Sequence, residues 1–380
     1  MALIYLDNNA TTRTDPGVVQ AMLPWFSERY GNARSAHALG HLSEGAVTVA
    51  REQVAAMLTA SPDEIVFNSG GTEGLNHALR GVFEAFPAKR HLVTTAVEHT
   101  ALRDVCAWLQ RSGVEVTALG VDGEGRLDLD ALEAAIRPDT GLVSVMAANN
   151  ESGVRFPLTE IAARVKAKGA LLHVDAVQAV GKVHLDLADL PMDLLNLSAH
   201  KFHGPKGVGA LFIRRGLHIK PLLPGHQERE RRGTTENVPG LVGLGKAAEL
   251  AAARLPEMAR VEGLRDKLEA AIHAIPESRV HGGGAARLPN TSLAGFAGVE
   301  GEALLLKLGE RGVCVSTGSA CTTGQREPSH VLQAMGVPAT YAKGTVRFSL
   351  GRETTAEEIQ TVIALLPEMI QELRALRLRP

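Results

Sequence analysis

The chain has 380 residues, 45% of them hydrophobic and 22% charged, an ordinary globular balance that excludes a disordered or fibrous protein and leaves ample chain for a large core. Lys and Arg (40) nearly match Asp and Glu (42), and the net charge of −2 gives no basic surplus to suggest nucleic acid as a partner. The three cysteines, Cys106, Cys314 and Cys321, are too few and too odd for a disulfide framework and suit a reducing compartment. No basic segment followed by a long apolar stretch opens the chain, and no apolar run of about 18 residues occurs, so neither a signal peptide nor a membrane span is expected. The expectation is a cytoplasmic protein.

In chain order, apolar runs predict strands at 64–67, 91–97, 113–119, 141–147, 170–175, 193–197 and 207–213. Amphipathic patterns predict helices at 42–58, 75–86, 101–111, 129–136 and 158–167. This alternation predicts an α/β fold with a mostly parallel central sheet flanked by helices, whose ligands sit beyond the carboxyl ends of the strands. From about residue 246 the pattern changes to a helical stretch over 246–275 interrupted by Pro256. Further strands are predicted at 292–296, 313–316 and 346–350, and helices at 300–308 and 327–335. Thr355 and Glu358 form a capping box for a last helix, in which Pro367 predicts a kink. The expected division is a large domain over 16–250 and a smaller α+β domain built from 1–15 and 251–380, the latter carrying Cys321.

Candidate chemistry falls in the loops after predicted strands. Lys201, in Ser198-Ala199-His200-Lys201, stands at a strand edge where a lysine could form a Schiff base; a solvated surface lysine is the plainer reading. The His200/His203 spacing lacks a third ligand, so no metal is expected. Asn68-Ser69-Gly70-Gly71-Thr72-Glu73-Gly74, between a strand and a helix, is either a phosphate cup or an ordinary helix-capping turn. Asp175 ends a strand with Gln178 one turn onward, placed to meet a protonated ring nitrogen or simply to cap a turn. His99 follows another strand. Cys321 sits among small residues in 316–324, a loop in which an accessible thiol could act as a nucleophile, whereas Cys106 and Cys314 read as buried small hydrophobes.

Together these segments resemble one family nearly end to end. The landmarks are Tyr5-Leu6-Asp7-Asn8-Asn9-Ala10-Thr11-Thr12, the 68–74 loop, Glu98-His99-Thr100, Asn149-Asn150-Glu151-Ser152-Gly153, 173–178, 198–207, 316–324 and Arg347-Phe348-Ser349-Leu350-Gly351-Arg352. They resemble the cysteine desulfurases, fold-type-I pyridoxal-phosphate enzymes of the class-V aminotransferase family that serve nitrogen fixation and iron–sulfur cluster assembly. The resemblance implies that Lys201 holds pyridoxal 5′-phosphate, Asp175 pairs with its ring nitrogen, Gln178 hydrogen-bonds its phenolic oxygen and His99 stacks on the ring. Gly71, Thr72, Ser198 and His200 would hold the phosphate, joined by Thr235 of a second subunit in a homodimer. Arg347 would bind the substrate carboxylate, with Asn150 lining the same pocket. In Arg232-Gly233-Thr234-Thr235 the family's usual Arg-Ala/Ser-Gly-Thr is altered, and alignment on Glu236-Asn237 selects Thr235 over Thr234. The implied reaction converts L-cysteine to L-alanine with a persulfide on Cys321, whose sulfur passes to an iron–sulfur scaffold or another acceptor protein. A selenocysteine lyase, a small-amino-acid aminotransferase and a non-catalytic protein of the same fold are the competing readings.

Overall fold

The computed structural model describes residues 3–317 and 329–377. After β1 (Ile4–Tyr5) come β2 (Ile65–Asn68), β3 (His91–Thr95), β4 (Glu115–Leu119), β5 (Thr140–Met146), β6 (Leu171–Asp175), β7 (Leu194–Ser198) and β8 (Gly209–Ile213). Strands β2 to β8 form one seven-stranded sheet in the order β2-β8-β7-β6-β5-β3-β4. Only β8 runs against its neighbours; the others share one direction. Their carboxyl ends therefore lie along one edge. The chain leaves β3 outward to β4 and returns on its other side with β5, which puts a topological switch point, the usual place for a ligand, between the loops after β3 and β5.

Side-chain alternation covers both faces of this sheet. Val143, Val145, Ala210 and Phe212 pack toward the helices Ala38–Met57, Leu158–Ala167 and Val238–Ala253, while Leu142, Leu211 and Ile213 pack toward Gly71–Ala85 and Thr100–Arg111. Successive residues of a strand point to opposite faces, so nearly continuous apolar strands are what a sheet covered on both sides requires.

The C-terminal third adds β9 (Ser278–Val280), β10 (Thr291–Phe296), β11 (Val313–Cys314), β12 (Ser316–Thr317) and β13 (Thr345–Ser349). Four of these form an antiparallel sheet in the order β12-β13-β10-β9. The apolar run expected as one strand over 313–316 is two: β11 pairs in parallel with β1, and β12 pairs with β13. Ile4 and Leu6 sit in the same core as Phe296, Phe348 and Ile359, so the N-terminal segment packs on the C-terminal elements. The helical stretch read over 246–275 is also two helices. The first, Val238–Ala253, starts earlier because Asn237 caps it and Pro239 follows, and Met258–His273 resumes after a 3-10 turn containing Pro256. The last helix, Ala356–Arg377, has both bonds of its capping box, Thr355 N to Glu358 Oε2 at 2.9 Å and Glu358 N to Thr355 Oγ1 at 3.2 Å.

Candidate active site

β7 ends at Ser198 and the chain turns at once through a short 3-10 turn, Ala199–Lys201, on the sheet's ligand edge. Lys201 is half-buried, and its Nζ donates to the carbonyls of Asn9 at 2.6 Å and Ala10 at 2.9 Å. Those carbonyls arrive from the N-terminal segment, which is tied to the C-terminal elements by Asn9 N to Ser349 Oγ at 2.9 Å and Asn9 Nδ2 to Thr291 Oγ1 at 2.9 Å.

Beside this turn, β2 passes through Ser69 and Gly70 into the helix Gly71–Ala85. Gly70, at the N-cap, has no side chain to satisfy the first-turn amides. Together with Ser198 and His200, this turn lines a cleft of about 370 Å³. A helix start is a ready anion site, and Lys206 at the rim adds positive charge. Thr11 and Lys206 are lining residues that the sequence did not single out. Glu73, the acid in the cleft, accepts from Ser69 N at 2.9 Å and from Arg232 Nη2 at 3.0 Å. Burial alone would raise its pKa, but Arg232 and Ser69 outweigh it and hold the carboxyl below its ordinary range. His200 is pushed down to about 4, by burial first and then by Lys201, Lys206 and Lys182, and its Nδ1 lies 3.1 Å from Thr11 Oγ1. It stands as a neutral hydrogen-bonding ring. Thr235 is exposed in this chain and does not line the cleft.

Asp175 closes β6 and is 6% exposed. Its Oδ1 accepts from Val177 N at 3.0 Å and Asn196 Nδ2 at 3.3 Å, and no cation pairs with it among the described residues. Burial pushes its pKa up to about 6 against the pull of these donors and of Lys201. A chain of polar contacts fixes it from behind: Ser144 Oγ to His173 Nδ1 at 2.8 Å, His173 Nε2 to Asn196 Oδ1 at 2.8 Å, then Asn196 to Asp175. The His173 ring is held near pKa 4 by burial and is neutral. Gln178 lies one turn on, with Nε2 donating to Asn9 O at 2.9 Å. Gln178 and Lys201 therefore meet at one N-terminal carbonyl, that of Asn9.

At the switch point, His99 caps the helix Thr100–Arg111 by accepting from Ala101 N at Nδ1, 3.2 Å. Burial, then the charge of Lys201, lowers its pKa. Its neighbour Glu98 is fully enclosed, accepts from Thr95 Oγ1 at 2.7 Å and Met146 N at 3.0 Å through Oε1, and is pushed up to about 8 by burial. Arg347, on β13, is 4% exposed; it donates to Asn150 O at 2.9 Å and to Asp7 Oδ1 at 2.8 Å.

Cys321 lies outside the described residues. Both flanks of its segment are fixed at this site. Ser316 pairs in register with Arg347. On the other side, Ser329 Oγ donates to Glu151 Oε2 at 2.6 Å and His330 Nε2 lies 2.9 Å from Glu98 O. The contacts of Glu151 and Glu98 are long-range and have no sequence signature, so these anchors could not be read before the fold was known.

The constellation fits pyridoxal phosphate. The uncapped helix start matches its phosphate, the buried Asp175 carboxylate, with no cation paired to it among the described residues, matches a protonated ring nitrogen, and the charge of Lys201 acts on both Asp175 and His200. An aminotransferase class-V family model matches residues 4–362. The cysteine desulfurase of Trichormus azollae is 54% identical, over 99% of this chain and 95% of the relative. The cysteine desulfurase of Klebsiella pneumoniae is 48% identical over the same shares, 99% and 95%. Among solved structures, a NifS-like protein is 40% identical with a TM-score of 0.92, covering 98% of this chain and 100% of its own. SspA in complex with cysteine is 33% identical with a TM-score of 0.83, covering 93% and 100%. The chain belongs to the aminotransferase class-V family, among its NifS-like cysteine desulfurases.

Proposed function

We propose that this protein is a pyridoxal-phosphate-dependent cysteine desulfurase, which converts L-cysteine to L-alanine and leaves the sulfur as a persulfide on Cys321 for transfer to an iron–sulfur scaffold or another acceptor protein. One observation carries the reading: a lysine amine, a buried carboxylate and an uncapped helix start converge on a single sheet edge, and both flanks of the Cys321 segment are anchored there. Lys201 is the attachment point of the coenzyme, Asp175 meets its ring nitrogen, Gln178 its phenolic oxygen, and Gly71, Thr72, Ser198 and His200 its phosphate. Asn150 lines the space shared by coenzyme and substrate.

Bound pyridoxal phosphate supplies an electron sink for bond cleavage at an amino acid's Cα and Cβ. The amine of Lys201 takes the substrate's Cα proton as general base. His99 lies against the ring and relays protons; because its Nδ1 accepts an amide, the neutral ring holds its proton at Nε2. Arg347 binds the substrate carboxylate. The Cys321 thiolate attacks the substrate sulfur, forming an S–S bond as the Cβ–S bond breaks. The electron pair of the broken bond ends, with a proton, as a C–H bond of alanine's methyl group.

The same reading includes a homodimer in which Thr235 of one copy reaches the phosphate of the other. Leu23, Phe26 and Tyr30, on or beside the short helix Pro24–Ser27, and Leu42 and Val49, on the helix Ala38–Met57, are exposed apolar side chains and support an interface with a second copy. A cytoplasmic location and the division into domains 16–250 and 1–15 with 251–380 complete it; among the described residues, no helix is long and apolar enough to cross a membrane. Visible absorption of the purified protein before and after L-cysteine, with product analysis, tests the chemistry. Lys201→Ala is expected to lose the coenzyme band and all turnover, and Cys321→Ala to keep the band but lose sulfide release. Undiminished desulfuration by Cys321→Ala, or a keto acid in place of alanine, overturns the assignment.

A further inference from the structure

Behind Lys201 lies a second amine that the mechanism does not use. Lys182 is 7% exposed, and its Nζ donates to Gln178 Oε1 at 2.7 Å and Asn9 Oδ1 at 3.1 Å. It reaches there because Gly181, at φ +75°, turns the chain in a region that other residues rarely adopt; a Cβ at Gly181 would lie 2.7 Å from Phe202 Cβ. The charged and titratable groups around it are cationic or basic. Lys201 and Arg347 act on it, Arg254 and Arg352 share its small cavity, and His200 and His203 feel its charge. Asp7 and Asp15 are engaged elsewhere, Asp7 by Arg347 and Asp15 by Arg352 and Arg254. Burial, then Lys201 and Arg347, lowers its pKa well below the ordinary lysine value. An ill-placed cation is not what the site needs, so the amine's value lies in its two hydrogen bonds.

Main-chain carbonyls decide how the two amides it touches are oriented. Gln178 Nε2 faces Asn9 O at 2.9 Å and Asn9 Nδ2 faces Asn150 O at 3.1 Å, so each amide turns its oxygen to Lys182. We propose that Lys182 is a positioning residue: by occupying Gln178 Oε1 it locks that amide with its NH2 toward the coenzyme's phenolic oxygen. This rests on the pyridoxal-phosphate reading above.

The test is a visible pH titration of the coenzyme-loaded wild type, Lys182→Met, Gln178→Met and the double variant. Without Lys182, Gln178 Oε1 is left unpaired and the amide is held only through Nε2 at Asn9 O, so its NH2 no longer keeps a fixed aim at the phenolic oxygen. The spectral midpoint of Lys182→Met is then expected to rise by about one pH unit. Gln178→Met should rise similarly, and the double variant no further, because the lysine acts through the glutamine. If Lys182→Met does not fold, Lys182→Leu, which also lacks a donor, is read in its place. A midpoint unchanged from wild type, or shifts that add in the double variant, overturns the proposal. A wild type without a coenzyme band overturns the reading beneath it instead.

Discussion

At residue scale, Asp175 shows how burial prepares a group for a partner. With its pKa raised from 3.8 to about 6, the folded cofactor-free protein binds this proton more tightly than the unfolded chain does. Its contribution to stability therefore falls as pH rises from about 4 to about 6 and is constant above that. Glu98 and Glu151, raised to about 8 and about 7 by burial, act in the same sense over overlapping ranges, so the comparison must be with a variant. Asp175→Asn is expected to flatten the 4-to-6 part of the cofactor-free melting curve and to lower kcat of the loaded enzyme about 10²-fold or more. Thermal melts across pH and steady-state rates check both. Asp175, Lys201 and His99 were legible because each follows an apolar strand. Asn9 was not: it meets Lys201 through a carbonyl across 192 residues of chain, and a carbonyl carries no side-chain signal.

At the scale of elements, the sheet that presents the site depends on close backbone approach. A Cβ at Gly209, the first residue of β8, would lie 2.5 Å from Leu197 O and 2.8 Å from Gly70 Cα. Gly209→Ala must therefore push β8 away from β7 and from the turn before the phosphate helix. It is expected to cost about 1–3 kcal/mol of stability and to weaken coenzyme binding more than a surface substitution would. Denaturant melts and coenzyme titration measure the two effects. The large sheet's strands were readable to within a few residues because apolar runs between turns need no knowledge of their partners. The run at 313–316 was misread for the converse reason: its apolar pattern is continuous, and only β1 and β13 divide it between two sheets.

For the molecule as a whole, the N-terminal segment joins the two halves of the site. Asp7 pairs with Arg347 while the carbonyls of Asn9 and Ala10 hold Lys201. Arg347 is almost fully buried, so removing its partner leaves a charged donor poorly satisfied. Asp7→Asn is expected to lower stability by about 1–3 kcal/mol in the cofactor-free protein. Chemical denaturation checks it, and an unchanged midpoint would show that Asn150 O alone suffices for Arg347. These long-range ties are what composition and periodicity could not reveal, since they join positions some 340 residues apart.

The backbone bridge between Asp7 and Ser349 has a consequence for synthesis. Asp7 finds this partner only after Ser349, far later in synthesis, has left the ribosome. Until then the carbonyls that cradle the lysine turn lack their tie to β13, and the nascent chain has no finished vitamin pocket. Coenzyme capture should therefore wait for β13 rather than accompany the making of the large sheet.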